Sequence, residues 1–156
     1  MGERNGGDWT FPGLVEAVTW GRSVYTLIRI PDGLVEEAKA VGTRRIEGTI
    51  DGIDVNLAIT RAPVVDRPFV WAGRSLLRRI GAEAGAVVEC RLRPVDDEVV
   101  PTPADVAARL AETGVLERWE SLPPTERRSR LYPIESAGRP ETRARRIDAL
   151  VEQLGA

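Results

Sequence analysis

The sequence predicts an α+β protein: a small closed or partly closed β-barrel over residues 12–97, followed by a helical tail over residues 98–156. Three observations predict it. Alternating apolar and polar residues fill the middle of the chain, and that alternation stops after Asp96-Asp97-Glu98. Beyond this point, segments punctuated by proline and glycine carry helical periodicity. A strand–helix–strand pattern also occurs twice, about fifty residues apart, which suggests a duplicated barrel unit.

The strands come first. "VYTLIRI" (24–30) is rich in β-branched and aromatic residues. "RRIEGTI" (44–50) and "IDVNLAI" (53–59) flank Asp51-Gly52, a dipeptide suited to the positive φ of a tight hairpin turn. "VVECRLRPV" (87–95) alternates apolar with charged side chains, as a strand with one wet face does. Gly48, inside a strand, predicts a bulge or a sharp bend. Two short helices interrupt these strands. "PDGLVEEAKAVG" (31–42) sets Leu34, Val35 and Ala38 on one side and stops at Gly42; "RSLLRRIG" (74–81) sets out Leu76, Leu77 and Ile80 and stops at Gly81. The helices follow "YTLIRI" and "RPFVWA" and precede further strands. Closure into a barrel would remove the exposed edges of so many short strands. The polar, glycine-rich residues 1–11 read as a flexible arm.

In the tail, Thr102-Pro103 with Asp105 in the first turn marks a helix start. "GVLERWESL" is a short helix, and "PPTERRSRLYPIESAG" a third, bent or ended early by Pro133. "RPETRARRIDALVEQLG" is the fourth. Trp20 and Trp119 are assigned to the barrel mouth and to the seam between barrel and tail.

Composition narrows the function classes. The chain has 156 residues, 42% hydrophobic and 29% charged, with a net charge of -2. That is a soluble globular profile without a field that would draw it to nucleic acid or an acidic membrane. No apolar run approaches the ~20 residues of a membrane span. The polar start is unlike a secretory signal, and one cysteine, Cys90, fits a reducing compartment, so the cytoplasm is expected. The absence of histidine removes the commonest general base and metal ligand. No catalytic residue, metal or cofactor is assigned.

"RRIEGTIDGIDVNLAI" with "LLRRIGAEAGAVVECRLRPVDDE" resembles a small bacterial and archaeal β-barrel domain of unknown function. The tail resembles the C-terminal helical region of YdeI/OmpD-associated proteins. Ile134-Glu135-Ser136-Ala137, Glu141-Thr142-Arg143 and Arg146-Ile147 match that family's signature in register. The resemblance implies a role in bacteriocin protection or antimicrobial-peptide tolerance and implies no catalytic residue. The chain departs from the pattern at Gly138, where the family has Lys, and at Pro133, where it has Trp. Gly85-Ala86 replaces Gly-Asp, and "APVVDRP" (62–68) replaces a glycine-rich link.

Two groups of side chains are candidates. Arg61, Trp71 and Arg74, with Arg67 nearby, surround the link and the start of the second helix, where an anion or an aromatic ligand could bind; Phe69 and Trp71 also suit a core beneath solvated arginines. In the tail, Glu135, Gly138, Pro140 and Arg143 suit a helix–helix corner, with Gly138 ending one helix, Pro140 starting the next, and Arg143 pairing with Glu135 or Glu141. From Pro101 onward nine acids accompany nine arginines, so a phosphate grip is disfavoured. Cys90 alternates with Val88 and Leu92 and reads as an inward, inert thiol. Asp96-Asp97-Glu98 suits a solvated hinge better than a metal site. The expected function is non-enzymatic binding of a small molecule or peptide; the alternative is an enzyme using Asp51, Asp54 or Glu89 with Tyr25.

Overall fold

The computed structural model describes residues 2–156. The chain divides into two compact units, one ending at Asp97 and the other spanning Glu98–Ala156. The first unit holds all the strands. These are β1 (Glu3–Asn5), β2 (Asp8–Leu14), β3 (Glu16–Trp20), β4 (Ser23–Arg29), β5 (Arg45–Ile50), β6 (Ile53–Ala58), β7 (Thr60–Ala62), β8 (Val65–Trp71) and β9 (Val87–Val95). Helix α1 (Asp32–Ala40) joins β4 to β5, and α2 (Arg74–Ile80) joins β8 to β9.

The strands do not close into a barrel. They form two antiparallel sheets, one ordered β1-β2-β9-β5-β6 and the other β3-β4-β8-β7. Alternation along a strand says which residues face inward but not which edges meet, and here pairing leaves each sheet with two edges. The main core draws on both: Ile28 and Val70 from the four-stranded sheet; Ile46, Ile50 and Leu92 from the five-stranded one; Leu34, Val35 and Leu76 from the helices. Each fully buried Ile or Leu contributes roughly 1.5–3 kcal/mol.

The duplicated unit is visible as topology, with a spacing of 42 residues instead of about fifty. Ser23 and Val65, Asp32 and Arg74, and Arg45 and Val87 start equivalent elements at that spacing. The two copies interleave: β4 pairs with β8, with Ile28 opposite Val70, and β5 pairs with β9, with Thr49 opposite Arg91. Both of those facing pairs are themselves 42 positions apart, so a pseudo-twofold axis runs through them. The flanking pairs correspond element by element, β3 on β4 matching β7 on β8, and β2 on β9 matching β6 on β5 with the register displaced by two residues. Buried positions coincide across it: Leu27 with Phe69, Leu34 with Leu76, Ile46 with Val88, and Ile50 with Leu92.

Gly48 makes no bulge, since its ladders to β6 and β9 run in unbroken register. Its φ is +145°, and a Cβ there would lie 1.9 Å from the Arg91 carbonyl oxygen, so close backbone approach is what requires glycine. The β5–β6 turn has φ +48° at Asp51 and +79° at Gly52, the geometry of a type I′ hairpin.

The expected N-terminal arm is instead β1 and most of β2. Phe11 is buried in the core, and the Trp9 indole N–H donates to Glu37 at 2.6 Å, beside an Arg4–Glu37 ion pair. Two aromatics on one face, both packed on the main core, tie down a segment whose composition alone reads as loose.

The second unit comprises α3 (Ala104–Glu112), α4 (Leu116–Glu120), α5 (Pro124–Glu135) and α6 (Pro140–Gly155). Trp119 packs within the second unit. It is 1% exposed at the centre of this unit's own core, among Val106, Leu110, Leu131, Ile134, Ile147 and Leu150. Helix α5 continues two residues past Pro133 and ends at Ser136, whose φ of -83° is right-handed, before Gly138 is reached.

Candidate functional site

Strand alternation sends Leu27 and Phe69 to the face of the four-stranded sheet opposite Ile28 and Val70. There they form a small separate cluster with Ala62 and Val65, against which Val18 and Trp71 pack. At one end of this face three rings meet. Trp20 and Trp71 are nearly parallel at 6.3 Å between centroids, and Tyr25 lies 6.3 Å from Trp20 and 5.5 Å from Trp71. Phe69 supports Trp71 edge-on at 4.6 Å. Trp20 is 41% and Tyr25 43% exposed. Trp71 is half-buried, so it is both a prop for Phe69 and part of an open aromatic surface.

Arg74 opens α2 three residues after Trp71, and Arg61 is the middle residue of β7; both are exposed. Among the described residues neither has a hydrogen bond or an ion pair, and no contact joins either to Trp71. Trp71's ring partners are Trp20 and Tyr25, which the sequence reading did not place beside it. Its missed signal was Trp20-Gly21-Arg22-Ser23, where Gly21 at φ +65° makes a two-residue hairpin turn.

The other candidates fall elsewhere. Asp51 and Glu89 line an open groove of about 530 Å³ with Glu3, Thr10 and Pro12 on the five-stranded sheet. The Asp51 carboxylate accepts the Glu89 backbone N–H at 2.7 Å, while Tyr25 belongs to the other sheet. Cys90 is fully buried, and its thiol is pushed up to about 12 by burial and then by the charges of Asp51 and Glu89. Asp97 accepts from the Thr43 hydroxyl at 2.9 Å and from the Arg44 N–H, and the described residues include no carboxylate or thiol group of three that could hold a metal ion.

In the second unit Arg143 is a tie. Its guanidinium grips Asp105 of α3 with two hydrogen bonds, at 2.6 and 2.9 Å, and donates a third to the Ile134 carbonyl at 3.3 Å. The expected partners were Glu135 or Glu141. Glu135 contributes a weaker electrostatic attraction, but Asp105 is the carboxylate that helix packing brings within reach. Arg146 donates to the Pro133 carbonyl at 2.5 Å. The last carbonyls of α5, at the negative end of its dipole, are thus met by two arginines from the first turns of α6, which Pro140 opens. Arg145 is exposed.

Residues 99–156 match the OmdA family, described as Bacteriocin-protection, YdeI or OmpD-Associated. This is the family that the Ile134 to Ile147 signature resembles. No curated protein and no solved structure matches the chain. In the OmdA segment the signature spells out the α5–α6 corner. Ile134 and Ile147 are buried, and Arg143 and Arg146 cap α5. Among the described residues no helix is long and apolar enough to cross a membrane.

Proposed function

We propose that this is a non-enzymatic protein, cytoplasmic, that binds a small molecule or a peptide through the aromatic surface of Trp20, Tyr25 and Trp71. Arg74 and Arg61 serve as the nearby positive charges. The observation that carries this reading is the exposure of three mutually packed rings outside the main core. An open aromatic surface beside unpaired arginines suits an anionic, planar ligand by stacking and charge. Nucleic acid fits less well, because the chain carries no basic excess. The proposed contribution to antimicrobial tolerance rests on the family description alone.

The enzyme reading has weaker support. Its carboxylates and its tyrosine lie on different sheets. The clearly displaced acids, Glu37, Asp66 and Asp105, are all held down chiefly by hydrogen bonds from structural partners.

Titrating benzoate and related aromatic carboxylates against tryptophan fluorescence tests the proposal. Wild type should show a saturable quench that Trp71→Ala abolishes. The same variant should lose only about 1–2 kcal/mol of stability, the ring contacts of a half-exposed aromatic. A loss of ~3–5 kcal/mol, with no quench in the wild type, would make Trp71 a purely structural residue.

A further inference from the structure

The β4–β8 ladder runs from Leu27 to Arg29 and one further bond joins the Ala72 N–H to the Thr26 carbonyl, whereas β3 and β4 pair from Glu16–Leu27 out to Trp20–Ser23. The outer half of this hairpin therefore projects beyond the sheet as a two-stranded ribbon. Such ribbons are marginal alone, yet this one exposes Trp20, Val24 (69%) and Tyr25. Strand β3 is also an edge of its sheet, and none of its five residues is buried.

The pseudo-twofold repeat provides an internal control. The counterparts of Trp71 and Tyr25, at the spacing of 42, are Arg29 and Arg67. Arg29 is tied to Glu16 at 2.9 Å and to Asp66, an ordinary solvated ion network. The counterpart of β3 is β7, only three residues long and irregular in register, as protected edges are. The same scaffold position is thus completed without aromatics and with an edge strand of only three residues. The fold does not need what the β3–β4 hairpin displays.

Charge identifies the occupant. From Ala17 to Ile28 the sole charged side chain is Arg22, at the hairpin tip. Among the described residues Arg22 and Arg74 have no ion pair. Trp20 and Ser23 flank a two-residue turn and so bond to each other, which alternation converts into outward-pointing backbone groups at Thr19 and Ala17. We propose that the β3 edge receives an extended acidic peptide as an added strand, its apolar side chains resting on Trp20, which Tyr25 and Trp71 back, and its carboxylates facing Arg22. This rests on the binding surface proposed above and names its ligand.

The probe is a short synthetic peptide alternating glutamate with valine around a central phenylalanine, added to the full chain. Tryptophan fluorescence should change saturably, and amide hydrogen exchange should slow at Ala17 and Thr19. A lysine-for-glutamate peptide should bind at least about tenfold more weakly, and Arg22→Glu should weaken the acidic peptide by about tenfold, a factor that shrinks in high salt. Thr19→Pro, which removes an outward N–H, should abolish exchange protection. Arg22→Glu keeps the test decisive if the proline variant unfolds. A fluorescence change without slowed exchange at β3 would overturn strand addition. So would sedimentation showing a dimer paired along β3, which would make a second copy the occupant. Binding of benzoate but not of the peptide would overturn this inference and leave the aromatic site standing; binding of neither would overturn both.

Discussion

Arg143, Arg145 and Arg146 are near neighbours in sequence with different physical roles. Arg143 makes two charge-assisted bonds to Asp105 and one to a helix-end carbonyl, with its side chain 29% exposed and that of Asp105 48%. Solvent screening reduces such a pair below its buried value, so Arg143→Ala is expected to cost about 1–2 kcal/mol. Arg145→Ala is expected to stay within about 0.5 kcal/mol. Chemical denaturation followed by helical circular dichroism measures both, and equal effects would refute the assignment. The same pair predicts a pH dependence. The Asp105 carboxyl is held below its ordinary 3.8 chiefly by the hydrogen bond from Arg143. A depressed carboxylate stabilises the fold fully above the unfolded value, and that stability is lost as pH falls through the lower folded value. Melting of Asp105→Asn should therefore show a flatter acid limb below pH 3.8 than wild type; an unchanged limb would mean that the pair does not hold the unit together.

At the scale of elements, strong periodicity was a good guide and short or irregular strands were not. The expected strand over residues 87–95 is β9, and Pro140 opens α6 as its position predicts. Strands β1, β3 and β7 escaped because three to five residues carry too little alternation to outweigh glycine and charge. Helix α5 runs past Pro133 but ends two residues later, at Glu135, where the last carbonyls, of Pro133 and Ile134, are met from outside by Arg146 and Arg143. Gly48 was legible as special, but the sequence could not show why. A backbone carbonyl from β9, more than forty residues away, is what excludes a side chain. Gly48→Ala is accordingly expected to cost about 2–4 kcal/mol through strain and a backbone clash. Thermal melting decides it, and a near-neutral variant would mean that β5 shifts freely against β9.

At the scale of the whole molecule, two units meet at Asp97-Glu98. All strand pairings and the main core of the first unit lie within it, and Asp97 is tied back to Thr43 and Arg44. The fragment ending at Asp97 is therefore expected to melt cooperatively as β structure by circular dichroism; an unfolded fragment would show that the second unit completes its core. The sequence by itself determined the α+β class, the change from strands to helices near residue 97, the repeated strand–helix–strand unit, the inward Cys90 and the OmdA-like signature of the α5–α6 corner. Those features are local or periodic, and neighbouring residues carry them. Tertiary structure alone decided that the sheets stay two instead of closing, that Arg143 meets Asp105, and that Trp71 stands with Trp20 and Tyr25. Each depends on partners distant along the chain, and side-chain periodicity specifies a face without specifying what lies across it.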